Sequence, residues 1–83
     1  MKTIVFTHQA AKDLDNLAAD AREAVTDGLS LYAISGRGDV KRLQGSDLFR
    51  LRVGRYRVIF GEDCCTVLAI YVGKRETTTY RRH

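Results

Sequence analysis

Arginines at alternating positions are the residues in this sequence best suited to chemistry. The segment FRLRVGRYRVIF, residues 49 to 60, carries arginine at positions 50, 52, 55 and 57. A planar guanidinium group binds phosphate oxygens through two parallel hydrogen bonds, and it stays charged at any physiological pH. Guanidinium groups gathered at one place therefore predict a binding site for an anion, with phosphate as the natural ligand.

A hairpin must position these arginines. Gly54-Arg55 is a two-residue loop whose leading glycine suits a type II′ turn, and it separates strands at 48–53 and 56–60. This loop pairs Arg52 with Arg57, and the two-residue alternation of a strand divides the hairpin into two faces. The predicted arginine-bearing face holds Arg50, Arg52 and Arg57. The other face is apolar and holds Phe49, Leu51, Val53, Tyr56, Val58 and Phe60.

The facing pair of Arg52 and Arg57 has an energetic cost. Like charges directly opposite each other destabilise a sheet by about 0.2 to 1 kcal/mol. No Asp or Glu of the hairpin shares their face, so the pattern favours a surface that receives an anion. The alternative is a charged edge hairpin that avoids pairing with other chains.

The elements around the hairpin predict a small α+β domain. Thr3–Phe6 is a predicted strand and Thr7 a predicted N-cap, and apolar residues then recur at helical spacing as far as Tyr32. A capping box of Asp20 and Glu23 suggests that two helices, forming a helical hairpin, divide near Ala19.

The rest of the chain predicts a connector and a third hairpin-linked strand. Residues 35–46 are predicted to be a flexible connector, and a phosphate cradle at Gly36-Arg37-Gly38 is a less favoured interpretation. Residues 65–72 are apolar on both faces, which is typical of a strand with a parallel neighbour, and the N-terminal strand fits that place. The expected fold is a small antiparallel sheet, a three-stranded C-terminal meander plus an N-terminal strand, packed on the helical hairpin.

Composition limits the classes of function. The 83 residues fit one soluble domain, and no apolar run approaches the ~18 residues of a membrane span, so we expect a cytoplasmic protein. Residues 1 to 36 hold three basic and five acidic residues, whereas residues 37 to 83 hold eleven basic and five acidic ones. An anionic partner is therefore expected at the C-terminal half. Adjacent Cys64 and Cys65 form no disulfide framework, and His8 and His83 lie at opposite ends, so no metal site or cofactor is expected.

The C-terminal half also resembles a known family. LQGSDLFRLRVGRYRVIF, followed by TVLAIYVGKRETTTY, is similar to the RelE/ParE superfamily of type II toxins in its leucine-glycine lead-in, its basic strand, its Gly-x-Tyr-Arg segment and its Val-Gly-Lys-Arg ending. The order of elements in the first half is compatible with that family, so the resemblance covers nearly the whole chain, and residues 1–83 are expected to form one such domain. It implies a RelE-like fold and a cognate antitoxin as partner.

The resemblance implies two different activities. RelE-like members are metal-independent endoribonucleases that cut mRNA in the ribosomal A site with the RNA 2′-hydroxyl as nucleophile. ParE-like members bind and inhibit DNA gyrase, and they generally lack the full set of basic residues found here. We therefore expect an mRNA interferase, with gyrase inhibition as the alternative. A basic RNA-binding module without catalysis is a third interpretation.

The implied site residues fall into three groups. The residues matching the catalytic set are Arg50, Arg52, Arg57, Arg75 and Tyr80. Further residues expected to bind RNA are Lys41, Arg42, Lys74, Arg81 and Arg82. Arg50 and Arg57 are assigned to the phosphate oxygens and Arg75 to the leaving 5′-oxygen, while stacking on a base is the alternative role for Tyr80. Arginine is a poor general base, so Lys74 and His83 are the candidates for proton transfer.

The face on which Arg75 lies depends on an irregularity in the last strand. A two-residue loop at Glu62-Asp63 places Arg75 on the apolar face by simple counting. One bulge reverses that assignment, and Gly73 is the expected place for it.

Overall fold

A computed structural model describes residues 1–74 as two helices and a five-stranded mixed sheet. The elements are β1 (Thr3–Phe6), α1 (His8–Asp15), α2 (Ala19–Ser35), β2 (Asp39–Arg42), β3 (Phe49–Val53), β4 (Tyr56–Glu62) and β5 (Thr66–Lys74). The strand order is β1-β5-β4-β3-β2, with β1 parallel to β5 and every other pair antiparallel. The predicted α+β class and the parallel partner of the last strand are confirmed. Within residues 1–74, no helix has both the length and the apolar character needed to span a membrane.

Strand β2 corrects the prediction of a flexible connector over residues 35–46. Its sequence DVKR offers only one apolar side chain, Val40, which pairs with Leu51 and packs against the core. Backbone pairing with β3 thus supplies a strand that the side-chain pattern does not signal. Gly36 has a φ of 75° and donates its N–H to the Tyr32 carbonyl at 2.8 Å, so it ends α2. This role accounts for Gly36 without a phosphate cradle.

The helix boundaries confirm the predicted division and correct its cause. Thr7 caps α1 by accepting the Ala10 N–H at 3.1 Å, and α2 begins at Ala19. The capping box at Asp20 is wrong, because Ala18 occupies the N-cap and Asp20 accepts only the neighbouring Ala21 N–H. Residues 16–18 separate the two helices, because α1 ends at Asp15 and α2 begins at Ala19.

The helices cover one face of the sheet, which we call the helix-side face. The buried core comprises Ala10, Leu14, Val25, Leu29, Ala33, Leu51, Val58, Phe60, Val67, Ala69 and Val72. Helix α2 approaches β3 closely at Gly28, where an added Cβ would lie 2.7 Å from Val53 Cγ2. The missing side chain at Gly28 therefore sets the distance between helix and sheet.

Beyond the end of β1, the edge of β5 is hydrogen bonded by helix α1 and its N-cap residue. Thr7 donates its N–H to the Ala69 carbonyl at 2.9 Å and its hydroxyl to the Ile70 carbonyl at 3.0 Å. Asp13 Oδ2 then accepts the Val72 N–H at 3.0 Å. The backbone groups of β5 are thereby satisfied beyond the last β1 pair.

The β4–β5 connection differs from the predicted one in both loop and bulge. Glu62 still pairs with Val67, so the loop is Asp63–Cys65 and not a two-residue turn. The bulge lies at Ile70, because Ile59 pairs with Tyr71 while Phe60 pairs with Ala69. Placing the bulge at Gly73 was wrong. The extra residue turns Tyr71 and Gly73 toward the face away from the helices.

Candidate functional site

The face of the sheet away from the helices carries three of the predicted arginines, and we call it the arginine face. The hairpin register is as predicted, with Arg52 opposite Arg57 and Arg50 opposite Ile59. Gly54 has a φ of 57°, whereas Arg55 does not have a positive φ, because within residues 1–74 only glycines do. A type II′ turn requires this combination, a positive φ at the first of its two central residues alone. Leu51, Val58 and Phe60 point into the core from the other side, at most 1% exposed. Arg50, Arg52 and Arg57 therefore share one face.

Within residues 1–74, two of these guanidinium groups have buried donors that lack a hydrogen-bond partner. The Arg50 side chain is 11% exposed, and its Nη1 forms an ion pair with Asp39 Oδ1 at 3.9 Å, which is too long for a hydrogen bond. Arg50 Nη1 and Arg57 Nε are both buried and make no hydrogen bond within residues 1–74. Buried donors are almost always paired in folded proteins, so an unpaired one needs a reason. An oxyanion resting on this face would supply acceptors to both.

Strand β2 adds a cation and an acid to the arginine face. Lys41 pairs with Arg50 and Asp39 pairs with Arg52, so both side chains lie on this side of the sheet. The hairpin itself carries no acid there, as predicted, but the sheet does. Four cations against one carboxylate still leave the face strongly positive. Lys41 thus lies on the same face as the three arginines, and its role in RNA binding stays a prediction.

Two predicted RNA-binding residues lie elsewhere. Arg42 pairs with Phe49, on the helix-side face, and hydrogen bonds to the Ser46 carbonyl at 2.9 Å and Asp47 Oδ1 at 3.2 Å. It therefore closes the β2–β3 loop. Lys74 pairs with Tyr56, also on the helix-side face, so the register does not bring it to the arginine face. The predicted residues Arg75, Tyr80, Arg81, Arg82 and His83 lie outside the described residues.

Tyr71 is an aromatic residue of the arginine face that counting along the sequence does not find. It pairs with Ile59 and is 44% exposed, and Gly73 two residues later pairs with Arg57. A Cβ at Gly73 would collide with the Tyr71 hydroxyl and lie 2.7 Å from its Cζ. The phenol ring therefore occupies the space over Gly73. The bulge at Ile70 produces this placement, and nothing in the apolar run TVLAIYV marks it.

A second polar cluster lies at the opposite end of β4, on the helix-side face. Glu62 accepts hydrogen bonds from Lys2 Nζ at 2.8 Å and from the Tyr32 hydroxyl at 2.7 Å. Burial raises the pKa of Glu62, but the hydrogen bonds from Lys2 and Tyr32 outweigh it and leave the pKa lowered. Burial and the bond to Glu62 raise the pKa of Tyr32 to about 12. This cluster ties β1 and α2 to β4 and has no residue in common with the arginine face.

Comparison with known proteins identifies the fold. Neither a family model nor a curated protein matches the sequence. Among solved structures, the chain is similar to the isolated E. coli RelE toxin, with a TM-score of 0.77 and 24% identity over 93% of this chain and 87% of that one. The chain has the RelE/ParE toxin fold. The resemblance drawn from the basic strand and the Gly-x-Tyr-Arg segment is therefore confirmed.

Other structures with this fold come from both branches. The toxin–antitoxin complex RelBE2 from Mycobacterium tuberculosis matches with a TM-score of 0.68 and 26% identity, over 89% of this chain and 98% of that one. The chromosomal ParDE system from P. aeruginosa matches with a TM-score of 0.75 and 14% identity, over 92% and 98%. The fold is thus common to RelE and ParE systems and does not by itself distinguish their activities.

Proposed function

We propose that this protein is the toxin of a type II toxin–antitoxin system and that it acts in the cytoplasm as an mRNA endonuclease on the ribosome. The observation that carries the proposal is the pair of buried donors without a hydrogen-bond partner in residues 1–74, Arg50 Nη1 and Arg57 Nε, on a face that also holds Arg52. A gyrase-binding surface does not require guanidinium donors that lack hydrogen-bond partners. A site that stabilises a phosphate during nucleophilic attack does require such free donors.

The reaction needs no metal, because the RNA supplies its own nucleophile. The 2′-oxygen bonds to the adjacent phosphorus, the bond to the 5′-oxygen breaks, and the products are a 2′,3′-cyclic phosphate and a 5′-hydroxyl. Negative charge accumulates on the non-bridging oxygens in between, where Arg50 and Arg57 would donate. One preorganised donor of this kind contributes about 2.7 to 4 kcal/mol to the rate in known enzymes. Arg75 stays assigned to the leaving oxygen as a prediction.

Proton removal from the 2′-hydroxyl is assigned to a carboxylate. Among residues 1–74, Asp39 is the one Asp or Glu on the arginine face, where it faces Arg52 across the strand pair. Arginine cannot accept the proton, and Lys74 lies on the helix-side face. His83 stays a prediction for the proton given to the leaving 5′-oxygen.

The test is to map the 5′ ends of transcripts after brief expression of the toxin. The proposal expects new ends inside translated codons, and these should vanish when translation initiation is blocked. Cells with intact mRNA and double-strand DNA breaks would instead show the second candidate, gyrase inhibition, which the ParDE match favours. Intact mRNA and intact DNA together would refute both.

A cognate antitoxin is the expected protein partner, because several structures with this fold are toxin–antitoxin complexes. Co-expression with each protein encoded beside the toxin gene, followed by affinity capture of the toxin, tests this. The partner should co-purify and restore growth. A toxin that arrests growth in the presence of every neighbouring gene product would argue against a type II system.

A further inference from the structure

Tyr71 places an exposed aromatic ring beside the arginine cluster. It lies on β5 opposite Ile59, so Arg57 is its diagonal neighbour, two residues along β4. Diagonal neighbours lie about 7 to 8 Å apart between Cα atoms, within reach of aromatic and long side chains. The ring and the guanidinium group are therefore close enough to contact one nucleotide together.

The orientation of the Tyr71 ring shortens the distance between the ring and Arg57. The hydroxyl end of Tyr71 lies over Gly73, the residue directly opposite Arg57. Any side chain at Gly73 would displace the ring, since even a Cβ would lie 2.9 Å from Tyr71 Cε2. Glycine at this position thus allows the tyrosine to lie along the strand toward the phosphate-binding arginines.

We propose that Tyr71 forms a nucleobase-binding subsite, on which a base stacks while its phosphate is held by Arg57. This inference rests on the proposed RNA-cleaving function. Single-stranded RNA is commonly bound by stacking unpaired bases on aromatic rings beside a basic surface that follows the backbone. At 44% exposure the ring leaves a large part of its surface free for such a contact.

The experiment measures the binding of a fluorescent single-stranded RNA hexamer by anisotropy, in parallel with an abasic hexamer of the same length. Stacking on one aromatic ring changes affinity by roughly 5- to 150-fold. We expect Tyr71→Leu to weaken hexamer binding by a factor in that range and to leave abasic binding within twofold. Tyr71→Phe should bind both like wild type, because the ring is kept.

Two further variants separate stacking from general surface effects. Gly73→Ala should weaken hexamer binding in the same direction as Tyr71→Leu, since the new methyl group displaces the ring. Leu68→Ser alters another exposed apolar residue of β5, 37% exposed, and should bind the hexamer like wild type. Thermal unfolding of every variant checks that the fold is kept.

The outcomes distinguish this inference from the function on which it rests. If Arg57→Thr abolishes hexamer binding while Tyr71→Leu binds like wild type, the subsite is refuted and the function stands. Equal losses for the normal and abasic hexamers would also refute the subsite. Base-dependent binding through Tyr71 with no mRNA cleavage in cells would support the subsite and refute the nuclease.

Discussion

Arg57 offers the sharpest test, because one substitution should move stability and activity in opposite directions. We choose Arg57→Thr, since threonine keeps a high strand propensity. The change removes the charge that faces Arg52 and the buried Nε, which has no hydrogen-bond partner within residues 1–74. A residue whose native position is unfavourable for the fold should make the protein more stable when replaced.

The magnitude follows from three contributions. Relief of the cross-strand repulsion contributes about 0.2 to 1 kcal/mol. Removal of an unsatisfied buried donor contributes about 1 to 3 kcal/mol. The half-buried stem of the arginine contributes in the opposite sense, at about 0.8 kcal/mol for each CH₂ that is fully buried. We expect a net gain of about 0.5 to 1.5 kcal/mol, which raises Tm by roughly 2 to 12 °C in a domain of this size.

Activity should fall sharply over the same change. Loss of one donor to the transition state lowers the cleavage rate by about 100- to 1,000-fold. Single-turnover cleavage of mRNA on programmed ribosomes measures the rate, and calorimetry measures Tm. Arg55→Thr is the matched control, because it removes the same charge from the exposed turn; both quantities should stay close to wild type. An Arg57→Thr protein that is several degrees less stable, or that cleaves at the wild-type rate, would refute the reasoning.

Three further predictions concern helix packing, the polar cluster and the proton acceptor. Gly28→Ala should destabilise the fold by about 1 kcal/mol in chemical denaturation, since overpacking against Val53 exceeds the helix-propensity gain; adding Val53→Ala should recover much of that loss, and additive losses would contradict the contact. Glu62→Gln should cost about 2 kcal/mol at pH 7 by weakening charge-assisted hydrogen bonds. Because the folded pKa of Glu62 is lowered, this difference should shrink as pH falls below 4.5; a difference constant down to pH 3 would be inconsistent with it. Asp39→Asn should reduce single-turnover cleavage by about 100-fold or more while hexamer affinity is kept or rises, and an unchanged rate would remove Asp39 as the base.

The hairpin was predictable because a two-residue loop fixes its register. Once Gly54-Arg55 is the turn, every pair from Val53–Tyr56 to Phe49–Phe60 follows by counting, and so does the shared face of the three arginines. The role of Thr7 as an N-cap was equally predictable, since it depends on a local hydrogen bond between the Thr7 side chain and the Ala10 N–H.

The remaining features depend on contacts that short-range patterns do not contain. Strand β2 has a single inward apolar residue, Val40, and forms because its backbone pairs with the edge of β3. The bulge at Ile70 lies in a strand that is apolar on both sides, so no alternation marks the extra residue. For the same reason the sequence indicated neither Tyr71 on the arginine face nor the separation of Lys74 from it.

The extra residue at Ile70 has an evolutionary consequence. If β5 kept all its residues but lost the bulge, Ile70 would pair with Ile59, so that Val72 would turn to solvent and Tyr71 would turn toward the helices. Gain or loss of this one bulge can therefore exchange the whole set of side chains that β5 displays beside the same guanidinium groups. Proteins sharing this scaffold thus have a route to a new binding surface that substitution alone does not offer.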